Sequence, residues 1–309
     1  MRQIIIKGTN NKNRIVGYVY DPISEPKAIV YFAHGVTEYA QRHEHFYTYL
    51  ANIGYMVIAN DHMGHGESGS EAPMYFTGKD DIPGWEIAVD DAAKFINQIK
   101  TEHPDLPVHG IGFSLGSFIV RHLAIKHIGM FKTITLIGTG YQGNFATTLG
   151  KMMAKSECDK HGPTAHTKKI DDLTFGSYNK HFEGNTRADW LCANQRSLNE
   201  YLNDKKVGGG FTAGLFHDLL YGMQFTCNPS NIARMDKKCK ILMVSGSRDA
   251  VGNFGKGIEK LKKIYRKNGM DVTAKIFNGM RHDILHETQF SNPYLEIANF
   301  LQSNTKPIN

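Results

Sequence analysis

Short apolar runs rich in β-branched residues alternate along most of this chain with longer segments of helical periodicity. Strands that alternate with helices pair in parallel, in a sheet covered by helices on both faces. We therefore predict an α/β fold with a mostly parallel, eight-stranded sheet that begins with an antiparallel hairpin. The predicted strands are Gln3–Lys7, Arg14–Tyr20, Ala28–Ala33, Tyr55–Asn60, Pro107–Phe113, Phe131–Ile137, Lys240–Ser245 and Val272–Phe277. The predicted helices are His45–Ile53, Trp85–Ile99, Leu115–Lys126, Gly257–Lys267 and Pro293–Leu301.

The alternation stops between residues 142 and 236, where helical pieces are interrupted by many Gly, Asn and Lys residues. We interpret this stretch as a mainly helical cap, inserted into a core made of residues 1–141 and 237–309. An insertion at the carboxyl edge of a parallel sheet lies over the place where ligands bind in such sheets. The cap is therefore expected to shape a substrate site.

The composition is that of a globular protein, since 41% of the residues are hydrophobic and 11% are aromatic. The cysteines form no C-x-x-C pair, which disfavours disulfides and zinc sites and predicts a cytoplasmic location. The glycine-rich D-H-M-G-H-G-E-S at 61–68 is interpreted as a tight loop rather than a metal site, so no metal or cofactor is expected. The charge of +6 is concentrated in a basic cluster at 256–267. Its interleaved apolar residues favour a solvated helix face over a nucleic-acid partner.

The sequence G-F-S-L-G, at residues 112–116, places Ser114 at the junction of a predicted strand and a predicted helix. That context is typical of a nucleophile elbow, a strained turn that exposes a serine hydroxyl at the edge of the sheet. Glycines two residues to either side remove Cβ atoms that would collide with the neighbouring strand and helix. The alternative is an ordinary glycine-rich turn with an idle serine.

A serine hydroxyl becomes a nucleophile when a histidine takes its proton and a carboxylate orients that histidine. In proteins with a nucleophile elbow the chain order is Ser, acid, His. Asp249 follows the first strand after the insertion and is the only carboxylate between residues 237 and 258. His282 and His286 follow the last strand, and we favour His282 because it is closer to the strand end. A helix cap and a surface loop are the respective alternatives for Asp249 and His282.

Acyl transfer also needs N–H donors for the oxyanion of the tetrahedral intermediate. We expect these from the backbone of Leu115, directly after the serine, and of Val36, in the loop after the third strand. His34 is expected to hold that loop by hydrogen bonds. Glu38 and Arg42 are expected to brace it as an ion pair.

Five motifs of the predicted core and three of the predicted cap occur in the order typical of a known family. The core motifs are A-H-G-V-T-E-Y-A-Q-R-H (33–43), A-N-D-H-M-G-H-G-E-S-G (59–69), G-F-S-L-G-S-F-I-V-R (112–121), G-S-R-D (246–249) and R-H-D-I-L-H-E (281–287). The cap motifs are F-G-S-Y-N-K (175–180), D-W-L (189–191) and F-T-A-G-L-F-H-D-L-L (211–220). On these motifs the chain resembles the α/β-hydrolases and, within them, the monoacylglycerol lipase/lysophospholipase-like serine hydrolases, also classed with serine aminopeptidase-like proteins.

The resemblance implies a medium- or long-chain monoacylglycerol or lysophospholipid as substrate. It also assigns a catalytic triad and an oxyanion hole to residues already named: Ser114, Asp249 and His282, with Val36 and Leu115. Two departures stand out, since His43 replaces a tyrosine that is usual in the family and W-L-C-A-N at 190–194 replaces W-L-S-R-D. The second change removes two charges from the cap, so the headgroup preference of the family is not carried over.

An enzyme that acts on lipids must bury an alkyl chain, and the cap offers apolar residues for this. The candidates are Met152, Met153, Leu215, Phe216, Leu219 and Met223. We predict that the helix over residues 211–223 lines the acyl site, and ordinary packing within the cap is the alternative. The cap is also where a transient contact with a membrane surface is expected.

Several functions are compatible with these patterns. An ester hydrolase acting on monoacylglycerols is favoured, with a lysophospholipase as a close alternative. A serine aminopeptidase needs a carboxylate that holds the free amine of its substrate, for which Glu183, Asp189 and Asp218 are candidates. A non-catalytic binding protein on the same scaffold is disfavoured, because it has no reason to retain every element of the triad.

Overall fold

The computed structural model describes residues 1–11, 13–69, 82–207 and 210–305. Its strands form one sheet in the order β1-β2-β4-β3-β5-β6-β7-β8, in which β2 runs antiparallel to both neighbours and the other pairs are parallel. The strands are β1 (Arg2–Lys7), β2 (Arg14–Tyr20), β3 (Ile29–Ala33), β4 (Met56–Asn60), β5 (Val108–Phe113), β6 (Thr133–Ile137), β7 (Lys240–Gly246) and β8 (Val272–Phe277). The predicted mostly parallel, eight-stranded sheet is confirmed.

The central parallel strands are apolar on both sides because each side of the sheet faces helices. In β3, for example, every residue is buried, and the side chains alternate between two apolar clusters. Ile29 and Tyr31 belong to one cluster, whereas Val30 and Phe32 belong to the other. The two-residue period of a strand therefore divides the core into two layers, one on each face of the sheet.

The helices are α1 (Glu44–Asn52), α2 (Gly84–Glu102), α3 (Leu115–Lys126), α4 (Asn144–His161), α5 (Lys168–Leu173), α6 (Phe175–Asn179), α7 (Gln195–Asn203), α8 (Ala213–Cys227), α9 (Pro229–Ile232), α10 (Lys256–Lys267) and α11 (Ser291–Asn304). Helices α2, α3 and α10 bury apolar residues in the first cluster, and α1 and α11 bury theirs in the second. All five predicted helices are present. The last begins two residues before Pro293, which the first turn tolerates because N–H groups there have no helical partner.

The stretch between β6 and β7 contains helices α4 to α9 and no strand among its described residues. Helix α8 packs along α4 and also contacts α2 and α3 of the core. Glycines allow the close approaches: a Cβ at Gly150 of α4 would lie 2.8 Å from a methyl carbon of Leu220, and a Cβ at Gly222 would lie 2.2 Å from the Trp85 indole. The cap boundaries at residues 142 and 236 stay a prediction. In the described part of the chain, no helix has the length and apolarity needed to cross a membrane.

Candidate active site

Ser114 sits on the sharp turn between β5 and α3. Its backbone has φ 52° and ψ −118°, a conformation that L-residues rarely adopt. The turn is held by backbone hydrogen bonds from Ser114 N–H to the Ile137 carbonyl at 2.9 Å and from Ser117 N–H to the Ser114 carbonyl at 2.9 Å. A strained turn that neighbouring strands over-determine is typical of a functional position.

The glycines on either side of this turn are required by close backbone contacts. A Cβ at Gly112 would lie 2.3 Å from the Gly116 carbonyl oxygen. A Cβ at Gly116 would lie 2.0 Å from the Ala33 carbonyl oxygen, at the end of β3. The predicted reason for both glycines is therefore confirmed, and the first turn of α3 touches the loop that follows β3.

Asp249 and His282 form a buried pair beyond the ends of β7 and β8. Their side chains are 0% and 1% exposed, and His282 Nδ1 lies 2.9 Å from Asp249 Oδ1. Asp249 also accepts hydrogen bonds from Ser245 Oγ at 2.9 Å and from the Val251 and Gly252 N–H groups at 2.9 and 3.3 Å. Burial alone would raise the pKa of Asp249, but His282 and these donors outweigh it, so the pKa lies below its usual value.

The His282 ring lies against the strand ends that carry Ser114. It contacts the Phe113 ring, with centroids 5.0 Å apart. Gly138 follows Ile137, whose carbonyl accepts the Ser114 N–H. A Cβ at Gly138 would lie 2.8 Å from His282 Cε1. His282 Nε2 is buried and has no hydrogen-bond partner among the described residues. The structure thus brings the imidazole to the elbow with Nδ1 engaged and Nε2 open.

His286, the other histidine considered as the base, is held elsewhere. Its Nδ1 lies 2.9 Å from Asp283 Oδ1, and its Nε2 lies 3.1 Å from the Arg42 carbonyl oxygen. Both ring nitrogens are therefore occupied by structural contacts. His286 therefore has no open ring nitrogen, whereas His282 does, and the role of His282 as the base stays a prediction.

The N–H groups expected to form the oxyanion hole lie on two segments that touch. Leu115 begins α3, so its N–H has no helical acceptor. Val36 follows Gly35 in the loop after β3, and its side chain packs against the same apolar cluster as Leu115. Neither N–H donates to another group in the described part of the chain. Their role as donors to an oxyanion stays a prediction.

Neutral histidines hold the loop after β3 in place by hydrogen bonds. His62 N–H donates to His34 Nε2 at 3.0 Å, so His34 carries its proton on Nδ1, which donates to the Gly35 carbonyl at 2.7 Å. His62 Nε2 in turn donates to the His34 carbonyl at 3.0 Å. Burial lowers the pKa values of His62 and His65 to about 3 and about 4, and that of His34 well below its usual value. The expected structural role of His34 is confirmed.

These histidines predict that the protein loses stability in mild acid. Below pH 6.5 the unfolded chain binds protons at His62 and His65, whereas the folded protein excludes them until the pH approaches 4 or 3. The stabilisation is therefore complete above pH 6.5 and is lost progressively as the pH falls, by an amount on the order of several kcal/mol. Urea unfolding at a series of pH values measures it.

The control pair for this experiment is His62→Gln and His161→Gln. Glutamine at 62 keeps a side-chain N–H donor but cannot titrate, so the dependence of unfolding free energy on pH should become shallower. His161 is exposed at the end of α4, and its replacement should leave the dependence unchanged. A wild-type free energy that stays constant between about pH 7 and 5 would contradict the assignment.

The predicted ion pair of Glu38 and Arg42 belongs to a larger buried network. Arg42 bridges Glu38 and Asp283, with N–O distances of 2.8 and 2.7 Å. Glu38 Oε1 also accepts the Gly35 N–H at 2.5 Å and lies 2.9 Å from His43 Nε2. Burial alone would raise the pKa of Glu38, but His43 and Arg42 lower it to about 2. The network braces the loop after β3, and the sequence patterns did not identify its member Asp283.

Trp190 of the cap covers the histidine. Its ring centroid lies 5.2 Å from that of His282 and 5.2 Å from that of Phe175, which stacks on it at 20°. A ring of the cap therefore lies against the imidazole. In the sequence Trp190 stands out only within the motifs D-W-L and W-L-C-A-N, because no local pattern assigns a partner to a single tryptophan.

The predicted acyl-site residues divide into two groups. Leu215, Phe216, Leu219 and Met223 of α8 are at least nine-tenths buried and belong to the apolar cluster that contains Leu115. The structure does not bring the α4 methionines to this cluster. Met152 is 66% exposed and Met153 is half-buried outside the cluster, so nothing in their positions supports the predicted lining role, which stays a prediction. Periodicity groups residues on one face of a helix but does not decide which face turns inward.

The chain is similar to proteins whose activities are known from their names. A family model described as serine aminopeptidase, S33, matches residues 24–289. The monoacylglycerol lipase of Mycolicibacterium smegmatis is 30% identical over 284 residues, which are 89% of this chain and 88% of that protein. Human monoglyceride lipase is 26% identical over 272 residues, which are 87% of this chain and 79% of that protein.

Among solved structures, a thermostable carboxyl esterase from Bacillus coagulans in complex with glycerol has a TM-score of 0.88 at 20% identity, with 99% of both chains covered. A structure described as a lipase in its open form has a TM-score of 0.86 at 24% identity, also with 99% of both chains covered. At these identities the likeness concerns the fold.

Proposed function

The chain belongs to the serine aminopeptidase, S33, family, has the α/β-hydrolase fold and is a hydrolase, and on that premise we propose that it cleaves carboxylic esters with a serine nucleophile. The proposed substrates are monoacylglycerols or similar medium- and long-chain acyl esters. Support for this substrate class comes from the relatives that carry the names monoacylglycerol lipase and monoglyceride lipase and align over most of both chains.

In the proposed reaction Ser114 Oγ attacks the ester carbonyl carbon while His282 Nε2 takes the hydroxyl proton. The charge that develops on the carbonyl oxygen is stabilised by the N–H groups of Leu115 and Val36. The alcohol leaves with the proton from His282, and the acyl group stays on the serine. Water, deprotonated by the same imidazole, then releases the carboxylic acid and restores the serine.

The observation that carries the proposal is the buried pair of His282 and Asp249 beside the strained turn of Ser114. The 2.9 Å contact between Nδ1 and Oδ1 orients the ring and leaves Nε2 as the acceptor for a hydroxyl proton. The alternatives for these two residues, a surface loop and a helix cap, do not account for side chains that are 1% and 0% exposed.

The proposed acyl site is formed by the buried face of α8. Its apolar residues Leu215, Leu219 and Met223 recur at helical spacing and share a cluster with Leu115, next to the nucleophile. Each methylene of a substrate chain transferred into such surroundings contributes about 0.8 kcal/mol of binding free energy. This contribution favours long acyl chains over short ones.

The surroundings of the three carboxylates considered as anchors for a free amine do not favour the aminopeptidase alternative. Glu183 is exposed, and Asp189 accepts a hydrogen bond from the Thr186 N–H at 2.9 Å while its carboxylate packs on Gly184. Asp218 lies 3.6 Å from His217 on α8, and burial raises its pKa, which disfavours the charged form that an amine would need. These surroundings support an ester over an aminoacyl substrate.

A probe experiment tests the proposed function. Wild-type protein is treated with a fluorophosphonate and, separately, offered 2-monoacylglycerols of increasing acyl length, lysophosphatidylcholine and an aminoacyl amide. We expect the wild-type protein to be labelled and to cleave the monoacylglycerols. Leu219→Trp should change the dependence of the rate on acyl-chain length, whereas Leu295→Trp, on the exposed side of α11, should not. Absence of labelling supports a non-catalytic binding protein. Turnover of the amide alone supports an aminopeptidase, and turnover of the lysophospholipid alone supports a lysophospholipase.

We also propose that helix α4 contacts the surface of a membrane or lipid aggregate. Phe145, Leu149 and Met152 are 85%, 50% and 66% exposed and recur at a spacing that places them on one face of the helix. A helix with an exposed apolar stripe of this kind binds in the plane of a lipid–water interface, where burial of its apolar side chains lowers the free energy.

Sedimentation with phosphatidylcholine vesicles measures this contact. A carboxylate within the stripe must be dehydrated on binding, so Leu149→Glu should lower the partition coefficient at least about tenfold. Ala146→Glu adds the same charge at an exposed position off the stripe and should change it little. Equal partitioning of the two variants would rule out a contact through this stripe.

A further inference from the structure

Resting on the proposed function, we infer that Glu287 is a positioning residue for His282, and that it acts by joining the cap to the loop that carries this histidine. The joining contacts lie between residues 189–194 of the cap and residues 281–287 of the loop, and we call them the cap–loop seam. Nothing in the proposed reaction requires Glu287 itself to touch the substrate.

The seam fixes the backbone on both sides of His282. The Arg281 N–H, immediately before the histidine, donates to Glu287 Oε1 at 2.8 Å. The Asp283 N–H, immediately after it, donates to the Leu191 carbonyl of the cap at 2.7 Å. The position of the imidazole therefore depends on one contact within its own loop and on one contact supplied by the cap.

Glu287 connects these two parts. Its side chain is buried, and both of its carboxylate oxygens lie 3.1 Å from the Ala193 nitrogen of the cap. The carboxylate thus accepts N–H groups from the loop and from the cap, and it forms no ion pair with another side chain in the described part of the chain. A buried carboxylate that has backbone N–H groups as its donors holds those groups firmly, because charged acceptors form the stronger hydrogen bonds.

Further contacts extend the seam along the same segment. The Arg281 guanidinium donates to the Asp189 carbonyl and, at 3.3 Å, to the Cys192 carbonyl. The Asn194 amide donates to the His286 carbonyl at 3.0 Å. The cap segment 189–194, which contains Trp190, is therefore joined at several points to the loop 281–287, which contains His282.

The seam fixes the position of the Trp190 ring relative to the His282 ring. Trp190 lies in the middle of the held cap segment, and its ring contacts the His282 ring at 5.2 Å between centroids. The imidazole thereby contacts Phe113 of the core and Trp190 of the cap. These two contacts restrict the rotation of the ring about its side-chain bonds and help to keep Nδ1 on Asp249. Catalytic geometry of this kind is sensitive to displacements of about 1 Å.

The test uses a soluble short-chain ester, p-nitrophenyl butyrate, with active sites counted by fluorophosphonate labelling. We expect Glu287→Ala to lower kcat per labelled site about tenfold or more while KM stays within about twofold, since the acyl site is not altered. Glu287→Gln retains a carbonyl acceptor and should recover most of kcat. Glu259→Ala, on the exposed side of α10, is the matched control and should change neither constant.

A double-mutant cycle distinguishes positioning from a general structural role. If Glu287 acts through Trp190, then Trp190→Ala lowers kcat by itself and Glu287→Ala lowers it no further in that background. Additive losses of kcat, or a fall in melting temperature with kcat per labelled site unchanged, overturn the inference. Should Glu287→Ala fail to fold, Arg281→Met is measured beside Arg248→Met, because both arginines lie over the Phe182 ring but only Arg281 donates to the seam.

The outcomes for the inference and for the proposed function are separate. Wild-type protein that neither labels with the fluorophosphonate nor cleaves the ester contradicts the proposed function. Wild-type protein that does both, with Glu287→Ala at the wild-type kcat, contradicts only the positioning role.

Discussion

Replacing Ser114 by alanine should reduce kcat for monoacylglycerol hydrolysis by a factor of about 10⁴ or more and abolish fluorophosphonate labelling. The loss is this large because in the proposed reaction the Ser114 hydroxyl forms the acyl intermediate, and the members of a triad act as a unit. KM should change little, since the serine Oγ contributes to the transition state and not to burial of the acyl chain.

Ser303→Ala is the matched control for this measurement. Ser303 is exposed on α11, where its hydroxyl donates to the Asn299 carbonyl at 2.7 Å, so the same chemical change there should leave kcat and labelling intact. Retention of more than about a hundredth of the wild-type kcat in Ser114→Ala would require a different nucleophile. Labelling of Ser114→Ala at another residue would identify that nucleophile by mass spectrometry.

Gly116→Ala should be the most damaging single-methyl substitution in the described part of the chain. Helix propensity alone predicts a gain of up to about 1 kcal/mol, because alanine is the better helix former. A Cβ at this position, however, would lie 2.0 Å from the Ala33 carbonyl oxygen and 2.6 Å from that of His34. Both neighbours are backbone, so the overlap is relieved only by moving α3 away from β3, at a cost of about 3 kcal/mol or more.

The displacement should also remove activity, since α3 begins with Leu115 and directly follows Ser114. Unfolding free energy from urea titration and kcat per labelled site measure the two effects. Gly143→Ala is the control, because a Cβ there would have no atom within 4 Å and the backbone φ is −70°. If Gly116→Ala proved as stable as the control, the close approach of helix and strand would be contradicted.

Much of the site could be predicted because its determinants are local in the chain. The elbow needs two glycines around a serine, with a strand directly before them and a helix directly after. G-F-S-L-G and the apolar patterns on either side of it show all of these features. The places of Asp249 and His282 followed from the strand ends that precede them. The ends of adjacent parallel strands meet at one edge of a sheet, so residues that follow them become neighbours.

Other contacts at the site could not be predicted, because they join residues whose local patterns are unrelated. His286 and Arg42 are 244 positions apart, yet the imidazole of one lies 3.1 Å from the carbonyl oxygen of the other. The same holds for Trp190, which reaches His282 from the cap. A tryptophan is compatible with many buried environments, so its type alone does not identify a partner.

Local sequence patterns predicted the alternation of strands and helices, the strained turn at Ser114 and the chain order of the groups placed beside it. Each of these follows from the conformational preferences of neighbouring residues. The tertiary structure decided that Met152 faces solvent while Leu219 faces inward, and that the cap holds the loop of His282. Both depend on which surface a helix or loop meets, and that is set by packing between segments that are distant in the chain.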